Sequence, residues 1–285
     1  NSGEILSLVS SPSYNPNLVV GRERSKNYFE LYKDSIYRPL IDKGLLSMFP
    51  PGSTFKILVG LTALQEEIIT EKSTIYCKGY YIYGKEKRKI NCHCGGGYRN
   101  IYNAISLSCN SYFADIYRKT INYQNNTKEN FNNWSNHIKS FGLGNYLNND
   151  LPIGKKGVVP DSEFYDRWYP DFKWGATTTI SNSIGQGEIL TTPIQLANMT
   201  AAVANEGYYY TPHIIKKIDG DTIDVRFKTP IKTSIDSTHF KTMNKALYRV
   251  FKSGTAKLLN VPGIEICGKS GTVENFTKIN GIKTQ

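Results

Sequence analysis

The sequence predicts a mixed fold of the α/β class, in the α+β arrangement. Four stretches show helical spacing of apolar residues, and four others are short and strand-like. The helices are predicted near 53–68, 100–121, 192–206 and 236–253, and the strands near 3–10, 208–218, 223–228 and 264–273. No internal repeat is evident, and 285 residues can bury one large core or two small ones.

The helices are predicted from their apolar faces and from their ends. Pro51-Gly52 can turn the chain into a first helical turn at Ser53, and Thr192-Pro193 is a good helix start that Gly207 can end. The last helix has apolar residues on one face, namely Phe240, Met243, Leu247, Val250 and Phe251. Two further stretches, 122–136 and 154–173, are predicted to be surface excursions.

Ser53 and Lys56 form an SxxK pair where the first helix begins. Residues three apart on a helix share a face, so the lysine could accept the serine proton. A serine hydroxyl is a poor nucleophile until a base activates it, and a lysine can do so only where a dry, cation-lined site lowers its pKa. The spacing occurs once in this chain but is weak evidence alone, since a solvated lysine at a helix start has the same spacing.

Two further motifs strengthen this interpretation. Ser108-Cys109-Asn110 lies within an apolar helical stretch, and Lys269-Ser270-Gly271-Thr272 follows the strand-like run 264–268. Together with Ser53 and Lys56 they form the SxxK, SxN and KTG/KSG set of penicillin-binding proteins and serine β-lactamases.

Both of the later motifs have competing copies. SxN recurs at Ser13-Tyr14-Asn15 and Ser25-Lys26-Asn27, where a turn asparagine is favoured. A second KSGT stands at Lys252-Ser253-Gly254-Thr255, where a helix ends and the glycine is predicted to be a helix cap. The copy at Lys269 is favoured instead, because a substrate strand could pair with the sheet edge on which it is predicted to lie.

In order and spacing, the three motifs resemble the transpeptidase domain of penicillin-binding proteins. The resemblance covers nearly the whole chain, and other similar segments are 1–12, 141–144 with 150–152, 183–187 and 192–195. The opening segment resembles class B proteins. The PPGSTFK sequence and the Cys/His-rich insert before SxN are most similar to the elongation-type enzymes, the penicillin-binding protein 2 group.

The resemblance implies a penicillin-binding transpeptidase / serine β-lactamase-like fold, an antiparallel sheet covered by helices with an inserted helical lobe. Residues 1–285 would form one transpeptidase domain, truncated at both ends relative to the family, with 77–109 as an insert. The C-terminal sheet strands of the family are expected to be missing. An N-terminal anchor absent from this chain would hold the parent at the periplasmic or extracytoplasmic face of the cytoplasmic membrane.

The implied activity is peptidoglycan D,D-transpeptidation through a serine acyl-enzyme, which β-lactams would block. Ser53 would be the nucleophile and Lys56 the base, with Ser108 and Asn110 relaying a proton and holding substrate; which of Lys56 and Ser108 moves each proton stays open. The remaining implied residues are Lys269, as a nearby cation, and Ser270, Gly271 and Thr272, as binders of the substrate carboxylate. No catalytic cofactor is implied, and the implied partners are stem peptides, β-lactams, a glycan-polymerising membrane protein and a cell-shape scaffold.

The amino-acid composition and charge argue against one further class of function, nucleic-acid binding. Lys and Arg number 35 against 24 Asp and Glu, a net charge of +11, but the charges are scattered and no nucleic-acid-binding motif is present. We therefore predict no nucleic-acid partner. No stretch reaches the roughly 18 consecutive apolar residues of a membrane span.

Five cysteines are present, and four of them cluster around His93. Cys77, Cys92, Cys94 and Cys109 supply the four thiolates that a structural zinc prefers, with His93 as an alternative to Cys94. Disulfide pairing of some of them stays open. Cys267 is predicted to be a plain buried residue.

Two alternative functions share these features. A serine β-lactamase or β-lactam sensor carries the same three motifs, although no motif here names a deacylating base. A zinc-stabilised binding module centred on Cys77 to Cys109 is the alternative of another class.

Overall fold

Helices make up most of the secondary structure in the part of the chain that is described. The computed structural model describes residues 2–219, 222–273, 277–279 and 282–284. Its α-helices are α1 (Arg24–Lys33), α2 (Lys43–Leu46), α3 (Lys56–Gln65), α4 (Ile101–Ser106), α5 (Asn110–Ile121), α6 (Thr127–Lys139), α7 (Ser162–Trp168), α8 (Pro193–Ala204) and α9 (Ser237–Lys252). Short 3₁₀ helices occupy Pro16–Val19, Gly52–Phe55, Tyr123–Asn125, Ile180–Ile184, Val225–Phe227 and Lys257–Leu259.

The strands form two-stranded antiparallel sheets. They are β1 (Ile75–Cys77), β2 (Tyr80–Tyr83), β3 (Arg88–Asn91), β4 (Gly97–Arg99), β5 (Tyr208–Tyr209), β6 (Ile231–Lys232), β7 (Thr277–Ile279) and β8 (Ile282–Thr284). β1 pairs with β4, β2 with β3, β5 with β6 and β7 with β8. Helices and small antiparallel sheets together confirm the predicted α+β class.

The α+β class is confirmed, but most of the individual strand predictions are not. Near 3–10 the pairing is limited to backbone bonds between Ile5 N and His213 O (2.7 Å) and between His213 N and Gly3 O (3.0 Å). Of 208–218 only β5 is a strand, and the prediction for 223–228 is wrong because a 3₁₀ turn occupies Val225–Phe227. Residues 264–273 are not a strand either: no partner strand lies beside them in the described residues, and the Gly268 amide instead donates to the Leu247 carbonyl of α9 at 3.5 Å.

All four predicted helices are present. Thr192 caps α8 with a reciprocal capping box to Gln195, and Gly207 beyond its end has φ of 112°, as the start and stop signals indicated. The stretch 100–121 forms two helices, α4 and α5, because Ser108 between them has φ of 54° and cannot continue a right-handed helix.

The core surrounds α3, whose residues from Lys56 to Leu64 are all buried. It packs against α5, α6 and α9. Trp134 of α6 lies at the centre of an aromatic cluster, with ring centroids 6.0 Å from Phe55 and 5.4 Å from Tyr117. The prediction that 122–136 is a surface excursion is therefore wrong for α6, whose apolar face is inside.

Among the described helices, none combines the length and the apolar character needed to cross a bilayer.

Candidate active site

Ser53 lies in the 3₁₀ turn Gly52–Phe55 that leads into α3. This turn is held between two other segments. The Gly52 amide donates to the Gly185 carbonyl at 2.8 Å, and a Cβ on Gly52 would lie 2.6 Å from the Thr272 carbonyl oxygen. Since Gly52 also has φ of 58°, glycine is required where the chain presents the serine.

Lys56 is fully buried, at 0% exposure, and points its amine at the second motif. Its Nζ donates to the Ser108 carbonyl (2.8 Å), to Ser108 Oγ (3.1 Å) and to Asn110 Oδ1 (2.5 Å). An ammonium has three donors, so these contacts use all of them. The structure thus brings the SxxK lysine and the SxN pair together.

The second motif lies where the helical backbone is interrupted between α4 and α5. Ser108 adopts the left-handed conformation, which is uncommon outside glycine and concentrates at functional sites. Asn110, the first residue of α5, donates its Nδ2 to the Asn91 carbonyl at 2.8 Å, so its Oδ1 is the end left for Lys56. Asn91 is a residue that sequence reasoning did not identify.

Burial and charge both act on the pKa of Lys56. Burial disfavours the ammonium and the positive charge of Lys269 adds to this, which together lower the pKa of Lys56 to about 7, against a smaller opposing effect of negative thiolate charge at the nearby cysteines. Burial also lowers the pKa of Lys269, to about 8. A lysine with a pKa near 7 is half neutral at neutral pH and can accept a proton.

The expected direct contact between Ser53 and Lys56 is not made. Within the described part of the chain, Ser53 Oγ has no hydrogen-bond partner, while the lysine is occupied by Ser108 and Asn110. A neutral amine keeps two N–H donors and one lone pair. Deprotonation of Lys56 therefore releases one of its three contacts and frees a lone pair to act as a base.

The third motif lies beside the turn that carries Ser53. A Cβ on Gly271 would lie 3.1 Å from Thr54 Cγ2, and the Thr272 carbonyl is next to Gly52. Lys269 donates to its own neighbour, to the Ser270 carbonyl at 3.0 Å and to Ser270 Oγ at 3.4 Å. The motifs predicted from the sequence thus converge on one region, with the third motif in an extended loop.

Gly185 is a second residue for which sequence reasoning gave no role. Its φ is 69°, and a Cβ there would lie 2.2 Å from the Gly52 carbonyl oxygen. In the sequence, the segment 183–187 shows only a similarity to the family. The available signal was its pair of glycines around Gln186, a pattern that favours a close approach of two backbones.

Four cysteine side chains meet next to the second motif. Cys77 ends β1, Cys92 and Cys94 follow β3, and Cys109 caps α5; all four are buried. Their sulfur atoms lie within 4.8 Å of one another, with Sγ to Sγ distances of 3.5 Å for Cys92 and Cys94 and 3.6 Å for Cys92 and Cys109. A tetrahedral zinc with Zn–S bonds of about 2.3 Å needs sulfurs about 3.8 Å apart, so the donor set fits that ion.

The two alternatives for this cluster, a disulfide bond and His93 as a ligand in place of Cys94, do not match this geometry. The four thiols are free, and their separations are far above the roughly 2.05 Å of a disulfide bond. His93 is exposed and stands outside the cluster, so it is not an alternative to Cys94. Cys267 is exposed, against the prediction of burial, because residues 264–273 do not join a sheet.

Comparisons with known proteins agree with the motifs. A sequence profile described as the penicillin binding protein transpeptidase domain matches residues 1–285. The chain is 34% identical over 278 residues to the peptidoglycan D,D-transpeptidase MrdA of Acinetobacter baumannii, covering 96% of this chain and 40% of that protein. It is 29% identical over 283 residues to MrdA of Escherichia coli K12, covering 96% and 43%. The chain thus spans less than half the length of the curated relatives it matches.

Solved structures give the same likeness. Pseudomonas aeruginosa PBP2 in complex with WCK 5153 superposes with a TM-score of 0.82 at 32% identity, over 94% of this chain and 60% of that one. Helicobacter pylori PBP2 in complex with MreC superposes with a TM-score of 0.77 at 28% identity, over 95% and 48%. These matches confirm the expected fold class.

Proposed function

Because the chain belongs to the penicillin-binding protein transpeptidase family, we propose that it is the catalytic domain of a peptidoglycan D,D-transpeptidase and a target of β-lactams. The observation that carries the proposal is the buried Lys56 amine, bonded to Ser108 and Asn110 one helical turn after Ser53. Among the described residues Lys56 has no carboxylate partner, and few structural roles explain a fully buried lysine in that setting. A base beside a serine nucleophile does.

The reaction begins with attack of Ser53 Oγ on the carbonyl carbon between the two terminal D-alanines of a stem peptide. The serine proton passes to neutral Lys56, directly or through the hydroxyl of Ser108, and the C–N bond breaks as the leaving D-alanine nitrogen takes a proton. An amine of a second stem peptide then attacks the ester. The new amide forms, Ser53 regains its proton, and two glycan strands are crosslinked.

The third motif stabilises the negative charges of the substrate and of the reacting carbonyl during this reaction. Lys269 supplies positive potential, and the segment Ser270, Gly271 and Thr272 binds the terminal carboxylate of the substrate. Backbone N–H groups of Ser53 and Thr272 form the oxyanion hole, a contribution of about 10² to 10³ in rate for each donor in other acyl-transfer enzymes.

Labelling with a fluorescent penicillin tests this proposal and separates it from its rivals. A transpeptidase keeps the label for hours, a serine β-lactamase loses it by hydrolysis, and a binding module is never labelled. Mass spectrometry of the labelled chain should find the adduct on the peptide that contains Ser53. Labelling that persists in Ser53→Ala, or an adduct on another peptide, would refute the assignment.

We also propose that Cys77, Cys92, Cys94 and Cys109 hold a structural zinc. The support is the set of four buried sulfurs within 4.8 Å of one another, which joins strands β1 and β3 to the first turn of α5, where Asn110 lies. Because such a site stabilises the fold that carries its ligands, chelation should lower both thermal stability and the acylation rate.

Elemental analysis tests the zinc proposal without reference to activity. The purified chain should carry about one zinc, following the four-ligand rule. Cys77→Ser should lose most of the metal, whereas Cys267→Ser, at the exposed cysteine outside the cluster, should keep it. Equal metal content in the two variants would count against this site.

We propose that residues 1–285 act as one transpeptidase domain with 77–109 as an insert, within a longer protein anchored at the extracytoplasmic face of the membrane. The Helicobacter pylori relative was solved with MreC, and another similar structure belongs to a peptidoglycan synthase complex that coordinates polymerization and crosslinking. Partners of these two kinds, a cell-shape scaffold and a glycan-polymerising membrane protein, are expected for the whole protein. Co-purification of the full-length protein with each partner tests this.

A further inference from the structure

The second Lys-Ser-Gly-Thr sequence, residues 252–255, lies between two motifs of the candidate site. It begins at the last residue of α9, and its own last residue contacts both neighbouring segments. The Thr255 amide donates to the Ser106 carbonyl at 3.0 Å, just before Ser108, and Thr255 Oγ1 lies 2.8 Å from Ser270 Oγ in the third motif. One residue therefore bonds to both segments.

Gly254 makes this double contact possible. The sequence predicted a glycine cap at the end of α9, but Gly254 does not adopt the left-handed conformation of such a cap. Its constraint is space: a Cβ there would lie 2.3 Å from the Ser106 carbonyl oxygen and 2.9 Å from Val250 Cα. Both are backbone atoms, so no side-chain motion could relieve the clash. The glycine lets the end of α9 approach α4 closely.

The hydroxyl of Ser270 has one hydrogen and two lone pairs, and its neighbours decide how these are used. Lys269 Nζ, 3.4 Å away, donates to one lone pair. If Thr255 donates to the other, the Ser270 hydrogen is the group left to point outward. Thr255 and Ser270 are both exposed on this side, so a ligand can reach that hydrogen.

We infer that Thr255 is a positioning residue that orients the Ser270 hydroxyl to donate to the carboxylate of the acyl donor. The inference rests on the proposed function, because it assigns how the site recognises its substrate. It concerns acyl donors that carry a carboxylate next to the reacting amide, in stem peptides and penicillins alike. Thr255 touches neither the substrate nor Ser53 and acts through Ser270.

The test compares a penicillin with its neutral methyl ester as acylating agents. Thr255→Val removes the hydroxyl, and it should slow acylation by the free acid about five- to tenfold, the size of one net hydrogen bond. The loss should appear as a higher penicillin concentration at half-saturation, while the maximal acylation rate stays the same. The much slower reaction with the ester should change less than twofold, because the ester has no carboxylate to orient.

Further variants complete the test. Thr255→Ser keeps the hydroxyl and should restore acylation. In the Ser270→Ala background, Thr255→Val should add no further loss, since the residue it orients is gone. Lys252→Ala, in the same four-residue sequence, is the matched control and should behave as the parent chain.

The inference would be overturned by equal losses with acid and ester, by failure of Thr255→Ser to restore the rate, or by additive losses in the double variant. Each of these outcomes would indicate a purely structural role. Failure of the proposed function would be distinguished at once, because the unaltered chain would then not be acylated at Ser53 by either reagent.

Discussion

The amine of Lys56 lies 2.5 Å from Oδ1 of Asn110, and the other end of that amide is held by the Asn91 carbonyl at 2.8 Å. A neutral oxygen acceptor this close satisfies a buried ammonium without adding a negative charge that would stabilise it. The asparagine therefore permits the lysine to lose its proton near neutral pH.

Asn110→Asp replaces the neutral oxygen with a carboxylate of nearly the same shape. An opposite charge beside Lys56 should raise the pKa of Lys56 by at least about one unit. The pH profile of penicillin acylation should then move to higher pH, with a clear loss at pH 7. Asn110→Ser, which adds no charge, is the control and should not move the profile upward; equal profiles for the two variants would contradict the electrostatic account.

The rate of acylation by the unaltered chain should rise with pH through about 7. The sign follows from the pKa of Lys56, which burial and Lys269 lower to about 7, so that the neutral base form accumulates above that pH. Stopped-flow acylation between pH 5 and 9 measures it. A rate that is flat across this range would mean that Lys56 is not the titrating base.

Stability should also depend on pH through Lys56. Its folded pKa of about 7 lies below the ordinary 10.5, so between these values the unfolded chain binds more protons and the free energy of unfolding rises with pH. Lys56→Met should reduce this rise, measured by urea unfolding at pH 7 and pH 9. An unchanged pH dependence would argue against a depressed pKa in the folded state.

Lys269 and Lys252 occupy equivalent places in the two KSGT sequences and should behave differently. The charge of Lys269 lowers the pKa of Lys56, so Lys269→Ala should slow acylation at pH 7 and shift its pH profile upward. Lys252 is exposed at the end of α9, and Lys252→Ala should have little effect. Equal losses would mean that the wrong copy was chosen as the third motif or that stability governs both results.

Gly185→Ala should disturb the turn that presents Ser53. The added Cβ would lie 2.2 Å from the Gly52 carbonyl oxygen at a φ of 69°, and overpacking with backbone strain should cost about 2–4 kcal/mol. Both the free energy of unfolding and acylation should fall. Gly154→Ala is the matched control, because nothing lies within 4 Å of its Cβ and its φ is not positive.

The elements predicted well are those with local signals. Helix α8 has its cap, its proline and its apolar face within a few residues, and its bounds came close to the prediction. Helix α6 was missed because asparagines around Phe131 and Trp134 have the composition of a loop, although these aromatic side chains lie in the core. The prediction of a strand near 223–228 is wrong because, among the described residues, no strand lies beside this segment, and strand pairing is not a local property.

The sequence by itself determined the family and the chemical identities of the candidate site, because SxxK, SxN and KSGT are each local motifs that place reactive groups within a few residues of one another. Only the tertiary structure decided which atoms meet. It directs Lys56 toward Ser108 and Asn110, collects four cysteine sulfurs into one cluster, and sets Thr255 of the discarded KSGT copy beside Ser270. Such contacts join residues far apart in sequence, and the packing of helices and the close approach of backbones at glycines determine them.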